Sequence, residues 1–282
     1  MSKRIPALSQ KQVVASFPKR PRDSHKGLFG TIAVIGGASG MIGAPLLAAR
    51  AALKLGAGCV HVGLLAESAP GVDVLQPELM LHSASAALRL PGVDVLVIGC
   101  GLGTSIAAQK LLYDVLMRDT ALVIDADALN LLARQPDLQD DLRIRQAASV
   151  LAPHPGEAAR LLGCDSKEIQ ADRIAAVRKL EQKFACNVVL KGADSLCATH
   201  DGRMYVNKTG NPGMSSAGMG DVLTGMIAAF IAQGMRADDA LLLAVHLHGA
   251  AGDALAQQGI SIGMTASDVT EWARWLLNQW SK

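Results

Sequence analysis

Residues 31–64 read TIAVIGGASGMIGAPLLAARAALKLGAGCVHVGL, and this stretch contains the pattern that decides the fold. A β-branched run at 31–35 ends in Gly36-Gly37 and predicts a buried strand. The Ala- and Leu-rich run at 44–55 is closed by a glycine and predicts a helix. Residues 59–64 predict a second strand. A strand, a helix and a strand of these lengths indicate parallel pairing of the two strands.

The same alternation continues along the chain and predicts one α/β domain over residues 25–282, preceded by an N-terminal tail at 1–24. We expect a mostly parallel central sheet with helices on both faces. Further strands are predicted at 94–98, 121–124, 149–151 and 187–190, with a β-hairpin formed by 195–199 and 204–206. Helices are predicted at 106–117, from Ala128 onward, at 166–184 with Ser166 as N-cap, and at 222–233, 238–257 and 265–279.

The composition is that of a folded globular protein rather than a disordered chain, and it shows no sign of a nucleic-acid-binding protein. Half of the 282 residues are hydrophobic, 18% are charged, and the formal net charge is +2. The tail is the most basic segment, but no nucleic-acid-binding motif follows it, so we expect a solvated, partly mobile tail. Its cationic residues, counted to the start of the domain, are Lys3, Arg4, Lys11, Lys19, Arg20, Arg22 and Lys26.

The cysteine pattern and the hydropathy indicate a cytoplasmic protein with no membrane partner. The five cysteines are an odd number and form no C-x-x-C pair, which fits a reducing compartment. The N-terminus has no apolar core of a signal peptide, and the apolar run at 222–232 is too short to span a bilayer.

Glycines and polar residues gather where the predicted strands end. In a parallel α/β sheet, ligands bind beyond the carboxyl ends of the strands, so these turns predict one shared site. The alternative for any single turn is that its glycine only permits a tight bend. The turns are Gly36-Gly37, Gly101 to Gly103, Asp125 to Asn130, His154 to Glu157 and Lys191 to Ser195.

Two common nucleotide-binding motifs are missing from the sequence. No G-x-x-x-x-G-K-[ST] phosphate loop occurs. Gly101-Leu102-Gly103 begins a dinucleotide fingerprint, but Ile106 stands where the third glycine belongs. A nicotinamide-dependent dehydrogenase is therefore disfavoured.

The strongest functional signal is NPGMSSAGMGDVLTG at residues 211–225, in which small residues run directly into an apolar helix. The unpaired N–H groups and positive dipole of a helix N-terminus can hold phosphoryl oxygens. Asp221 would lie at or just inside that N-terminus, where it could accept a proton from a substrate hydroxyl. The alternative is that Asp221 is only the helix N-cap.

The motif Gly218-Met219-Gly220-Asp221 resembles the G-x-G-D anion hole of the ribokinase-like superfamily. The complete ordered set resembles the ADP/ATP-dependent NAD(P)H-hydrate dehydratases, over nearly the whole chain from His25 onward. The matching segments are 25–27, 36–37, 99–103, 125–130, 153–157, 191–193 and 211–223.

The resemblance implies a ribokinase-like fold and a repair reaction on NADH or NADPH whose nicotinamide ring has been hydrated. Family members phosphorylate the ring hydroxyl of the S epimer and then eliminate phosphate, which regenerates NAD(P)H. Mg²⁺ is required, and ADP, which gives AMP, is expected here in preference to ATP. The resemblance also favours a homo-oligomer such as a tetramer. About 25 residues precede the match, so the epimerase domain fused to many relatives is expected on a separate chain.

Site residues follow from the resemblance position by position. Asp221 would be the catalytic base, and Gly218 and Gly220 would form the anion hole. The hydrated dinucleotide would contact Ala44, Gly103, His154 and Asp221. The adenine nucleotide would contact Lys191, Gly192, Ala193, Asp194, Ser195 and Gly220, while Asn130 and Glu157 would orient phosphates, Mg²⁺ or its waters. Cys100 departs from the family, because many relatives have proline there.

Simpler interpretations of individual residues stay open, as do two other functions. His154 could be an ordinary loop histidine, Lys191 a surface lysine, and Asp125 or Asp127 the cap of the helix at Ala128. A kinase of a small hydroxylated metabolite or vitamin precursor would use the same Asp221 but release a stable phosphorylated product. A nucleotide-binding sensor would need no catalytic base, so an intact Asp221 disfavours it.

Overall fold

Short runs rich in Val, Ile and Leu form the strands of one sheet in a computed structural model that describes residues 5–281. The sheet has nine strands in the order β3-β2-β1-β4-β5-β6-β7-β8-β9. Strands β1 to β7 all pair in parallel. Strands β8 and β9 form the predicted antiparallel hairpin, and β8 also pairs antiparallel with β7. The strands are β1 Thr31–Gly36, β2 Cys59–Leu64, β3 Met80–Ser83, β4 Val95–Ile98, β5 Ala121–Ile124, β6 Ser149–Leu151, β7 Asn187–Leu190, β8 Leu196–Ala198 and β9 Met204–Val206.

Helices cover both faces of the sheet, as predicted. One apolar core joins one face to α1, α2, α10, α11 and α12, and a second core joins the other face to α3 through α9. The helices are α1 Gln10–Val14, α2 Gly43–Lys54, α3 Ala84–Ala87, α4 Ile106–Leu116, α5 Ala126–Arg134, α6 Pro136–Arg143, α7 Pro155–Leu162, α8 Ser166–Ala171, α9 Arg173–Phe184, α10 Met219–Ala232, α11 Ala237–Gln257 and α12 Ala266–Trp280. No helix within the described residues combines the length and apolar character needed to cross a bilayer.

The close packing of α10 on α2 sets the position of the glycine-rich turn. A Cβ built at Gly225 would lie 2.0 Å from the carbonyl oxygen of Ala48, so only glycine allows the two helices to approach this closely. This contact fixes α10 against the sheet.

The predicted helix over 166–184 is wrong in one respect, because the chain forms two helices there. Asp172 has extended φ and ψ of −144° and 79° and its carboxylate accepts a hydrogen bond from Ala175 N, which starts α9 afresh. The N-cap of α8 is Asp165, which accepts from the backbone N–H groups of Lys167 and Glu168, rather than Ser166.

The prediction of a solvated tail is also wrong for its described part. Leu8 and Val13 are buried, and Phe17 packs edge-on against Phe230. Arg20 donates to the Gly56 carbonyl and to Gln233, and its guanidinium lies over the ring of Phe29. Apolar residues interspersed among the charges hold the segment on the domain. Lys3 and Arg4 lie outside the described residues.

Candidate active site

The glycine-rich turn ends at Gly218, which caps α10 with a positive φ of 88°. A Cβ at this position would also come within 2.6 Å of Leu47 Cδ1, so both backbone and packing require glycine. Asp221 is the third residue of α10 and makes no N-cap hydrogen bond. The alternative that Asp221 is only the N-cap is therefore wrong, and its carboxylate is available for other contacts.

Asp221 is half-buried, and its environment favours the protonated acid. Burial is the largest cause and raises the pKa of Asp221 to about 6. A hydrogen bond from the Cys100 thiol and the charge of Lys191 lower that pKa, while the charges of Asp125 and Asp127 raise it. A carboxyl group that titrates near neutral pH is suited to accept a proton during a reaction.

Asp125 forms a buried polar network with residues from distant parts of the sequence. Its Oδ1 lies 2.6 Å from Lys191 Nζ and accepts from Ala126 N at 2.7 Å, which makes it the N-cap of α5. Its Oδ2 accepts from Thr224 Oγ1 at 2.8 Å. Burial lowers the pKa of Lys191, but the charges of Asp125 and Glu157 outweigh it and the pKa is raised. Lys191 is thus held as a cation beside α10, rather than extending from the surface.

Gly220 lies directly beside this network and places no side chain against it. A Cβ there would lie 3.2 Å from Lys191 Nζ and 3.5 Å from Asp125 Oδ2. The absence of a side chain gives an anion access to both the lysine cation and the first-turn N–H groups of α10.

A cavity of about 490 Å³ begins at Lys191 and Gly220, a volume suited to a small-molecule ligand. All of the residues predicted to contact the adenine nucleotide line it: Lys191, Gly192, Ala193, Asp194, Ser195 and Gly220. Arg173 supports this loop from outside by donating to the backbone carbonyls of Leu190, Lys191 and Ala193.

Residues of the segment 207–215 and of α11 also line the cavity. The predicted glycine-rich stretch includes 211–215, whereas 207–210 and α11 were not predicted to contact a ligand. Asp253 on α11 accepts from Gly210 N at 2.9 Å and from Asn211 Nδ2 at 3.0 Å. A Cβ at Gly249 would lie 2.3 Å from Thr209 Oγ1. A glycine on the helix and a carboxylate one turn later therefore hold the loop directly against α11.

The residues predicted for the hydrated dinucleotide do not line this cavity. Ala44, Gly103 and His154 follow carboxyl ends of strands, and Asp221 lies in the first turn of α10. Ala44 is the second residue of α2, after β1, and its Cβ would lie 3.2 Å from a Cβ at Gly101. Gly103 follows β4, and its N–H donates to Asp127 Oδ2 at 2.8 Å. Their role in substrate binding stays a prediction.

His154 and Glu157 form the capping box of α7, so both have a structural role. His154 Nδ1 accepts from Gly156 N, and Glu157 Oε2 accepts from His154 N at 2.8 Å. Burial raises the pKa of Glu157 to about 7. Asn130 Oδ1 accepts from Arg160 Nη1 at 2.9 Å, which leaves its amide N–H groups for other partners.

Among the described residues, no group of three or more His, Cys, Asp or Glu side chains is arranged to hold a metal ion. All five cysteines are free. Lys191 and Gly220, which lies at the first turn of α10, line the cavity described above.

Comparison with known proteins gives one consistent result. A sequence profile of the NAD(P)H-hydrate dehydratase family matches residues 32–274. The ADP-dependent (S)-NAD(P)H-hydrate dehydratase of Neisseria meningitidis is 44% identical, with 94% of this chain and 91% of that protein covered. This chain spans about half the length of several longer relatives described as bifunctional NAD(P)H-hydrate repair enzymes.

Solved structures agree with the sequence comparison. An ADP/ATP-dependent NAD(P)H-hydrate dehydratase from Bacillus subtilis, co-crystallised with ATP and Mg²⁺, superimposes with a TM-score of 0.88 at 27% identity, covering 99% of this chain and 100% of that one. A ribokinase-like superfamily protein from Enterococcus faecalis gives a TM-score of 0.83 at 26% identity, covering 98% and 96%. The predicted ribokinase-like α/β fold is confirmed.

Proposed function

Because the chain belongs to the NAD(P)H-hydrate dehydratase family, we propose that it is an ADP-dependent (S)-NAD(P)H-hydrate dehydratase that restores hydrated NADH and NADPH. The observation that carries the proposal is the position of Asp221. This carboxylate, with a pKa raised to about 6, lies one residue after the glycine that opens onto Lys191 and the cavity. A base and an anion-binding site are thus adjacent, as transfer of a phosphoryl group to a hydroxyl requires.

The first step is phosphoryl transfer from ADP to the ring hydroxyl. Asp221 removes the hydroxyl proton while the hydroxyl oxygen attacks the terminal phosphorus, and the bond from that phosphorus to the bridging oxygen breaks, which releases AMP. Gly220 and the first-turn N–H groups of α10 stabilise the charge on the transferring group, together with the Lys191 cation. Positioning and electrostatics supply most of the catalysis in such transfers.

The second step is elimination. The C–O bond of the phosphorylated ring breaks, phosphate departs with the electron pair, and loss of a proton from the adjacent carbon re-forms the double bond of NAD(P)H. Phosphate leaves far more readily than hydroxide, so the nucleotide converts a poor leaving group into a good one. Ala44, Gly103 and His154 are proposed to contact the dinucleotide during both steps.

Mg²⁺ is proposed to accompany the nucleotide. Mg²⁺ in such sites is held through phosphate oxygens, one or two carboxylates and water, so Asp125 and Glu157, whose charges both act on Lys191, would supply the carboxylates. The ion would neutralise charge on the phosphates when bound. Asn130 would support its waters from α5.

Two further properties extend the proposal. The five free cysteines fit a cytoplasmic location. Exposed Val72, Val74 and Leu75 in the loop between β2 and β3 support a homo-oligomer such as a tetramer. Measurement of the molar mass in solution tests the oligomer directly.

The test is absorbance at 340 nm with purified protein, hydrated NADH, Mg²⁺ and either ADP or ATP. We expect a nucleotide-dependent rise with stoichiometric release of phosphate, and a faster rise with ADP. No rise with either nucleotide would contradict the proposal and would direct a screen toward phosphorylation of small alcohols at the same Asp221.

A further inference from the structure

Asp194 and Lys208 form an ion pair between two segments that line the cavity. Asp194 lies in the loop that follows β7, and Lys208 lies in the segment that follows β9. Lys208 Nζ donates to Asp194 Oδ2 at 2.5 Å, and both side chains are more than half exposed. The pair is therefore accessible to a molecule that enters the cavity, although the sequence did not predict a ligand contact for Lys208.

The backbone sets the position of the Asp194 carboxylate. Asp194 has a left-handed φ of 53°, which residues other than glycine rarely adopt and which Asp tolerates better than most. Side-chain hydrogen bonds hold the loop in this shape, because Arg173 donates to the Ala193 carbonyl and Ser195 Oγ donates to the Gly192 carbonyl. Residues held in such sparsely populated conformations cluster at sites that bind ligands.

The charge of Asp194 limits which part of a nucleotide can lie against it. Phosphates match Lys191 and Gly220, where a cation and the first-turn N–H groups of α10 are adjacent, whereas a carboxylate repels them. An ionised carboxylate only accepts hydrogen bonds, so it needs donors from the ligand. Lys208 donates to Oδ2, and Oδ1 has no donor within residues 5–281. Ribose hydroxyls are such donors, and they lie next to the phosphates as Asp194 lies next to Lys191 in the same loop.

We propose that Asp194 and Lys208 form a ribose clamp, in which the Asp194 carboxylate accepts hydrogen bonds from the ribose hydroxyls of the nucleotide and Lys208 holds that carboxylate in position. This inference rests on the proposed function, because it assigns the cavity to ADP. Loss of either hydroxyl removes a donor from a charged acceptor, so the cavity prefers ribonucleotides to deoxyribonucleotides. Lys208 is a positioning residue in this arrangement, because it acts on the ligand through Asp194.

The experiment is equilibrium titration calorimetry of the full chain, in the presence of Mg²⁺, with ADP, 2′-deoxy-ADP and 3′-deoxy-ADP. The wild-type protein should bind ADP roughly three- to tenfold more tightly than either deoxy form, since water can partly replace a lost hydroxyl at an exposed carboxylate. Asp194→Gly removes the carboxylate, and glycine adopts the left-handed φ without strain, so the variant should fold. It should weaken ADP binding by at least the same factor and abolish the preference.

A double-mutant cycle tests whether Lys208 acts through Asp194. Lys208→Met keeps most of the side chain without its charge and should reduce the ribose preference roughly twofold. The same change in the Asp194→Gly background should leave no preference to reduce. Equal losses for ADP and the deoxy forms in Lys208→Met, with the preference unchanged, would mean that Lys208 contacts phosphate instead and would overturn its role in the clamp.

Two controls separate the clamp from other effects. Lys110→Met removes the cation of a comparable exposed ion pair, with Asp114 on α4 outside the cavity, and should keep the wild-type preference. Inosine diphosphate keeps the ribose but replaces the adenine amine by a carbonyl, so Asp194→Gly should weaken its binding and that of ADP equally. A loss confined to ADP would place the carboxylate at the base and would overturn the inference.

The wild-type protein alone distinguishes failure of the clamp from failure of the proposed function. Equal affinity for ADP and the deoxy forms, or a preference unchanged in folded Asp194→Gly protein, would overturn the clamp and leave the proposed function standing. Binding of none of these nucleotides by the wild type would overturn the proposed function itself, and the inference with it.

Discussion

The ammonium group of Lys191 lies 2.6 Å from Oδ1 of Asp125, although 66 positions separate the two residues in the sequence. Asp125 follows β5 and Lys191 follows β7, and the pair is joined to α10 by Thr224. One carboxylate therefore connects two strand ends with the helix that carries Asp221.

Replacement of Asp125 by Ala should lower the free energy of unfolding by about 3–5 kcal/mol, because it leaves the Lys191 charge buried without its partner. Thr224→Val is the matched control, since it removes one neutral donor from the same carboxylate and should cost about 1 kcal/mol. Urea unfolding at pH 7.5 measures both. Equal small losses in the two variants would show that the ion pair does not stabilise the fold.

Asp221→Asn should slow the reaction roughly a hundred- to ten-thousandfold and leave ADP affinity nearly unchanged, because it removes the base but not the cavity. The same change should stabilise the protein by about 1–3 kcal/mol at pH 7.5. The folded-state pKa of about 6 exceeds the ordinary value of 3.8, so the ionised carboxylate disfavours folding above pH 6.

The stabilisation by Asp221→Asn should shrink as pH falls from 6 toward 3.8, where the wild-type carboxyl becomes protonated in both states. Thermal unfolding and 340 nm assays across this range measure the two effects. A variant with full activity, or a stability difference independent of pH, would contradict the role given to Asp221.

Cys100→Ala should shift the acidic limb of the pH–rate profile to higher pH. The limb is expected near pH 6, where Asp221 loses its proton, and the Cys100 thiol lowers that pKa by donating a hydrogen bond. Cys100→Ser keeps a donor and should leave the limb near its wild-type position. Rates of NADH recovery between pH 5 and 9, with limiting substrate, provide the comparison. An unmoved limb in Cys100→Ala would mean that the thiol has no effect on the base.

Alanine substitution should affect two glycines of α10 differently: one change should lower stability, and the other should lower ADP binding. Gly225→Ala would press a Cβ into the backbone of Ala48 and should destabilise the protein by several kcal/mol, since backbone cannot move aside easily. Gly220→Ala would place its Cβ 3.2 Å from Lys191 Nζ, the end of a flexible side chain that can shift slightly, so the variant should still fold. It should weaken ADP binding and activity at least tenfold by obstructing the anion site. Calorimetric scans and ADP titrations separate these outcomes. Normal ADP binding by Gly220→Ala would exclude Gly220 from the phosphate contact.

The sequence predicted the sheet well because its central strands are continuous apolar runs bounded by glycines. The structure confirms β1, β2 and β4 to β7 to within one residue of the predicted bounds. β3 at Met80–Ser83 was missed, because an edge strand with exposed and polar residues lacks that pattern. Helix α7 was missed for a different reason. Its Pro155-Gly156 start is typical of a loop, and the capping box of His154 and Glu157 that stabilises it involves a histidine in place of the usual serine or threonine.

In the candidate site too, local motifs could be recognised from the sequence, whereas contacts between distant segments could not. Lys191 to Ser195 and Gly218 to Asp221 each lie within one turn, so they could be singled out from local motifs and from the family resemblance. The pairing of Lys191 with Asp125 and the thiol contact of Cys100 with Asp221 depend on which strand ends and helices meet. No local pattern encodes those contacts, because each joins residues that are far apart in the chain.

Residues 6–8 of the N-terminal segment lie parallel to β9 and pair with it at Ala7 and Val206. Val206 N donates to the Pro6 carbonyl, and Leu8 N donates to the Val206 carbonyl. β9 would otherwise end the sheet with free backbone donors and acceptors, which are a template for strand addition by another molecule. The backbone of this segment therefore covers the edge along which another strand could add, which protects the sheet from edge-to-edge aggregation. Its basic residues favour solubility.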